Sequence, residues 1–157
     1  MFKTVSVAYV TLLTIIMGFA LFSGAVVAPV IFNSDAFLGG ALLSRFQEGL
    51  LMTEVFRRLC YPLVIMCLLS VMFEFAYTFK RKLDLIALIC MVLMVCTGLL
   101  FAFYFVPHII HMQNQGPLVT QTAQFASIHK LSEVCFKITV LSGICLAMRH
   151  VFKLSRG

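Results

Sequence analysis

Charge is what this chain has least of. Asp, Glu, Lys and Arg together make up 11% of its 157 residues, and residues 4–34 contain none. A helix needs about 20 predominantly apolar residues to cross a bilayer, so that run spans with residues to spare. Residues 59–73 and 85–107 are also free of charge. With 62% hydrophobic residues and a mean hydropathy of +1.05, the chain carries more apolar surface than a water-soluble domain of this size could bury. It reads as a multi-span membrane protein, and residues 1–157 as a single transmembrane domain.

Other absences narrow the function. Four spans nearly exhaust the chain, leaving no room for a soluble catalytic domain. There is no nucleophile paired with a base, no phosphate-binding glycine loop and no zinc-protease motif, which argues against an enzyme. No interleaving of basic and aromatic residues supports nucleic-acid binding; the +6 balance comes from small clusters near span ends. Lys3 could pass for the n-region of a signal peptide, yet the apolar run far exceeds the roughly 7–15 residues of an h-region, so it is expected to be a retained span. The six cysteines, Cys60, Cys67, Cys90, Cys96, Cys135 and Cys145, form no C-x-x-C pair. That removes zinc-ribbon and thioredoxin-like readings and leaves small buried hydrophobes as the default. Cys60 and Cys135, near the outer ends of their spans, are the one pair placed for oxidation.

The hydropathy pattern predicts spans over about 5–32, 59–79, 83–107 and 130–148. Basic residues favour four spans over three. Lys3, Lys80, Arg81, Lys82, Arg149, Lys153 and Arg156 then share one side, against Arg45, Arg57, Arg58, Lys130 and Lys137 on the other. The positive-inside rule puts both termini in the cytoplasm, with the inner membrane of a bacterium as the expected location. The expected fold is all-α, an integral membrane four-helix bundle with an interfacial helix between spans one and two, starting near Asp35. The alternative for residues 33–58 is an outward extension of span two. Glu54–Arg58 and Glu133–Lys137 are spaced to pair at i,i+4. Gly116-Pro117 breaks the polar stretch 108–127. Pro29 and Pro107 are expected to end their spans, and Pro62 to sit in a first turn, where proline is tolerated.

Two stretches together resemble a known family: Gly24-Ala25-Val26-Val27-Ala28-Pro29-Val30-Ile31-Phe32 and Phe125-Ala126-Ser127-Ile128-His129-Lys130-Leu131-Ser132. They are similar to small bacterial inner-membrane proteins that carry a domain-of-unknown-function label. Eukaryotic transmembrane protein 205 and, more distantly, the CopD copper-resistance membrane domain look related. In that family the His-x-x-Ser is commonly followed four residues on by Asn; here the position is Phe136. The resemblance implies a four-helix membrane protein and little settled biochemistry.

Several constellations stand out. Ala20, Gly24 and Ala28 repeat every fourth residue in span one, as Thr139, Gly143 and Ala147 do in span four. Small residues at this spacing let helices approach closely in lipid. His108, His111 and Met112 close span three, and His129 opens span four on the same side. Imidazoles meeting there would suit copper, zinc or haem iron, although interfacial histidines are the commoner case. His150, on the cytoplasmic side, cannot join them. Glu74 is an ionisable residue one to two turns inside span two. Such residues are functional candidates by default, with Lys80, Arg81 or Arg149 as expected partners. These features leave three readings. The first is a non-enzymatic accessory component of the bilayer, forming a homo-oligomer or serving another membrane protein. The second is a metal- or haem-handling protein of the outer face. The third is a small transporter or permeability factor built on Glu74.

Overall fold

The computed structural model describes residues 2–40, 42–80 and 84–156. Eight α-helices and two π-helical turns account for nearly all of them. They are α1 (Phe2–Phe22), α2 (Ala28–Phe32), α3 (Ser34–Leu38), α4 (Arg45–Lys80), α5 (Leu85–Leu100), α6 (Val106–Asn114), α7 (Pro117–Thr120) and α8 (Ala123–Ser155), with the π turns at Ser23–Val27 and Phe101–Phe105. Four helical units are long and apolar enough to cross a membrane: Lys3–Phe32, Arg45–Phe79, Leu85–Asn114 and Ala123–Ser155. They pack as a ring in the order α1, α4, α5, α8, with α5 against α8 the most extensive interface. α4 and α8 therefore face each other across the diagonal. Both chain ends lie at one end of the bundle, called here the termini end; α3, α6 and α7 crowd the other, the loop end.

The prolines do not end their spans as expected. Pro29 and Pro107 each follow a five-residue π turn and occupy the first residues of the next helix. Proline lacks an N–H and clashes with the carbonyl four residues back. A π turn inserted just ahead releases that carbonyl, so the helix bends and continues instead of stopping. Pro62 lies inside the uninterrupted α4, not in its first turn. Between spans one and two, α3 stands alone, while residues 45–58 run directly into span two. Gly39, at φ 71°, ends α3 in the left-handed conformation that glycine adopts without strain. Most of the polar stretch 108–127 is helical as well. Gly116, at φ 101°, makes its main break, and Thr122 caps α8 by accepting from the Phe125 N–H at 3.2 Å.

Exposed ion pairs mark where the hydrocarbon ends on the loop side. Glu54 binds Arg57 at 2.6 Å and Arg58 at 2.8 Å, and Glu133 binds Lys137 at 2.5 Å. Exposed charge at hydrocarbon depth is expensive. From Arg58 to Lys80 the helix rises roughly 33 Å at 1.5 Å per residue, matching an apolar slab of about 30 Å. Residues 45–58 of α4 and the start of α8 up to the Glu133–Lys137 pair therefore stand at or beyond the edge of the slab, forming a helical crown at the loop end.

Candidate functional site

Span four packs closely where its small residues lie. Thr139, Gly143 and Ala147 are all buried. A Cβ at Gly143 would fall on the Met17 thioether, 2.8 Å from Met17 Cγ and 3.1 Å from Met94 Sδ. Thr139 also shares a hydrogen bond of 2.8 Å with Thr97, and the Cys135 thiol donates to the Thr97 carbonyl at 3.1 Å, so polar contacts fasten α8 to α5. Gly98, which the sequence reading passed over, occupies a second close crossing: a Cβ there would lie 3.0 Å from Cys67 Sγ and 3.3 Å from Thr139 Cγ2. Span one differs. Ala20 is fully buried, while Gly24 and Ala28 border a cavity, and a Cβ at Gly24 would lie 3.4 Å from the Phe136 ring of α8. All six cysteines are free, with Cys96 and Cys145 on the exposed surface.

The loop-end histidines engage separate neighbours. His108 stacks on Tyr104 and His129 on Phe125, each ring partner one turn away on the same helix. His111 shares a 3.0 Å hydrogen bond with Gln115, and Met112 is buried. Among the described residues, no group of three or more His, Cys, Asp or Glu is arranged to hold a metal ion.

At the opposite end, chemistry does converge. Glu74 Oε1 pairs with His150 Nε2 across the bundle diagonal. The Glu74 side chain is 6% exposed and that of His150 is 2% exposed. Of the expected partners of Glu74, Arg149 turns instead to Asp84, while the Lys80 side chain and residues 81–83 lie outside the described residues. His150, set aside because it could not reach the loop-end histidines, is the base that faces the acid.

The walls of this site are aromatic. The Tyr9, Phe73 and Tyr77 rings meet the His150 imidazole edge-on, with centroids 5.4–5.6 Å away. Tyr9 stacks on Phe73 at 3.9 Å, and its hydroxyl donates to Ser70 at 3.1 Å. Three spans thus enclose one acid and one imidazole in rings and hydroxyls. Desolvated charge without a partner would be prohibitive there, so the pair is held together by its surroundings.

Asp84 closes the termini end. Its Oδ1 caps α5 by accepting from the Ile86 and Ala87 N–H groups at 3.1 and 3.3 Å. Its Oδ2 meets Arg149 at 2.8 Å and Lys153 at 2.6 Å, and Lys153 also sits 4.7 Å above the Tyr77 ring. One carboxylate therefore joins the start of span three to the end of span four. Partial burial opposes its ionisation, but the hydrogen bonds from Lys153, Arg149 and Ala87 prevail and hold its pKa well below the carboxylate range. A folded-state pKa below the unfolded one contributes stability above the ordinary carboxylate value of about 4, and that stability is lost progressively as pH falls below it. Thermal melts of the detergent-solubilised protein should therefore show an acid-side loss of stability that Asp84→Asn diminishes. A variant with the wild-type acid profile would remove Asp84 from that role.

The domain-of-unknown-function model DUF4149 matches residues 11–117, more than half of the chain, taking in Glu74 and Asp84 and stopping short of α8. No curated protein matches, and no solved structure does. A membrane bundle of four apolar spans with this match belongs to the DUF4149 family, whose function is not known.

Proposed function

We propose that this protein is a non-enzymatic, multi-pass component of the bacterial inner membrane, with both termini cytoplasmic, that binds and releases a proton at the Glu74–His150 pair as a small transporter or permeability factor. The observation that carries the reading is the pair itself: an acid and a base, both desolvated, facing each other at span depth. Histidine is the side chain that gains and loses a proton near neutral pH, and intramembrane acid–histidine sets are the usual parts of proton relays. Among the described residues, polar groups come to this end from all four spans. Tyr9 faces it from α1, and Ser70 and Tyr77 come from α4. Asp84 stands before α5, and Arg149 and Lys153 come from α8. Lys153, over the Tyr77 ring that in turn packs on His150, links the pair to the termini-end surface. The orientation rests on the seven basic residues of the termini side against five on the other.

The test is proton movement. Protein reconstituted into vesicles containing a pH-sensitive dye, then given an acid step outside, should acidify the interior faster than protein-free vesicles. Glu74→Gln should abolish the difference, and Asp84→Asn should retain most of it. Equal rates for wild type and Glu74→Gln would sink the reading.

A further inference from the structure

A cavity of about 880 Å³ occupies the loop end, a volume in the range of small-molecule sites. It lies far from Glu74 and His150, and neither lines it. Its position relative to the slab is what matters. The deep wall, Ala20, Phe101 and Val140, belongs to the spans; Phe56 stands beside it at the foot of the crown, Arg45 belongs to the crown, and Gln113 to α6. The cavity therefore begins inside the hydrocarbon and rises out of it between the crown helices.

The lining changes along that path. The deep part is apolar and presents Gly24, where a Cβ would rest 3.4 Å from the Phe136 ring, and Phe56, whose ring meets those of Phe101 and Phe136 at 5.5 and 5.0 Å. An apolar cavity that leaves the bilayer is a poor host for water, which needs polar partners to stay bound. Farther out, Gln113 donates to Thr53 at 3.0 Å. The rim carries two cations, Arg45 and Lys137, each beside a carboxylate, Glu48 at 3.1 Å and Glu133 at 2.5 Å. Arg45 is largely exposed; its Nη1 contacts the Phe32 carbonyl and Glu48, which fixes the guanidinium at the mouth. A guanidinium has five N–H donors, so Arg45 keeps donors free for an anionic head group at the mouth.

We infer that this cavity takes the aliphatic chain of one anionic amphiphile drawn from the loop-side leaflet, seating the chain against Gly24, Phe101 and Phe136 and the head group at Arg45. The two π turns serve this arrangement. The first supplies Gly24 and Ala25 to the cavity lining, and the second supplies Phe101. Gly24 and Ala28 are small because they form the cavity wall.

The experiment uses the full-length, detergent-purified protein and a fluorescent long-chain fatty acid, titrated against empty micelles of the same detergent. Wild type should bind it saturably, one per protein. Gly24→Leu and, independently, Ala28→Leu should each weaken binding by about tenfold or more, because the added carbons fill space that the chain needs. Melting curves identify any variant that fails to fold, and the other then decides. Arg45→Gln should weaken the fatty acid several-fold while leaving the matching fatty alcohol unaffected. Partition no better than into empty micelles, or undiminished binding in the folded cavity-filling variants, would overturn the site. An unchanged fatty-acid affinity in Arg45→Gln would overturn the assignment of the head group.

Discussion

His150→Ala is expected to destabilise the folded protein by roughly 1–3 kcal/mol, the cost of leaving a buried polar group without its hydrogen-bond partner. The reason lies in what remains. Glu74 would be left enclosed by Tyr9, Phe73 and Tyr77 with no imidazole to face, and a buried carboxylate without a partner carries its full desolvation cost. The aromatic cage would also lose the ring against which three of its members pack. Removing both polar groups should be far milder. Glu74→Leu combined with His150→Phe replaces the pair by apolar groups of similar size, a change that is often neutral or stabilising. Denaturant titrations in mild detergent would measure both. A double variant as unstable as His150→Ala would mean that the packing of the imidazole, not the pairing, dominates.

Gly143→Leu is the second large effect. The Cβ alone would displace the Met17 side chain, which is 1% exposed, and press on Met94, which is fully buried. Methionine is flexible enough to yield to one carbon, so Gly143→Ala should cost little. Leu adds three further carbons where α1, α5 and α8 meet, and overpacking of this kind typically costs about 1–3 kcal/mol. Leu100→Met, on an exposed surface of α5, serves as the control. The check is loss of the folded fraction on heating. Tolerance of Leu at 143 equal to that of Met at 100 would show that α1 and α8 are not closely packed there.

The four spans were legible because residues 4–34 and 85–107 contain no charge, and nothing but a bilayer accommodates such runs. The pairing of Glu54 with Arg58 and of Glu133 with Lys137 was legible for the same kind of reason, since i,i+4 spacing fixes it within one helix. His150 was not. It is 76 residues from Glu74, and only the ring order, which sets α4 diagonally across from α8, brings them together. One signal was present all the same: both lie within two turns of the termini-end basic residues, Glu74 before Lys80 and His150 before Lys153, so the two share a depth. The behaviour of Pro29 and Pro107 was hidden more thoroughly. A proline signals a break in hydrogen bonding, but whether the helix stops or inserts a π turn depends on what the continuing helix packs against. Here α2 and α6 continue against α4. Gly24 carries two meanings for a related reason, since the same small residue suits a close helix contact and a cavity wall, and here it borders both the Phe136 ring and the cavity.

The central claim is that Glu74 and His150 exchange a proton with solvent while remaining paired inside the bundle. Infrared difference spectroscopy of the protein in lipid, between about pH 8 and pH 5, where histidine ordinarily changes charge, tests it most directly. The account predicts carboxyl and imidazole bands that change together across that interval and that are both absent from the spectra of Glu74→Gln and His150→Gln. A carboxyl band that stays constant across the interval, or one that persists in Glu74→Gln, would contradict it.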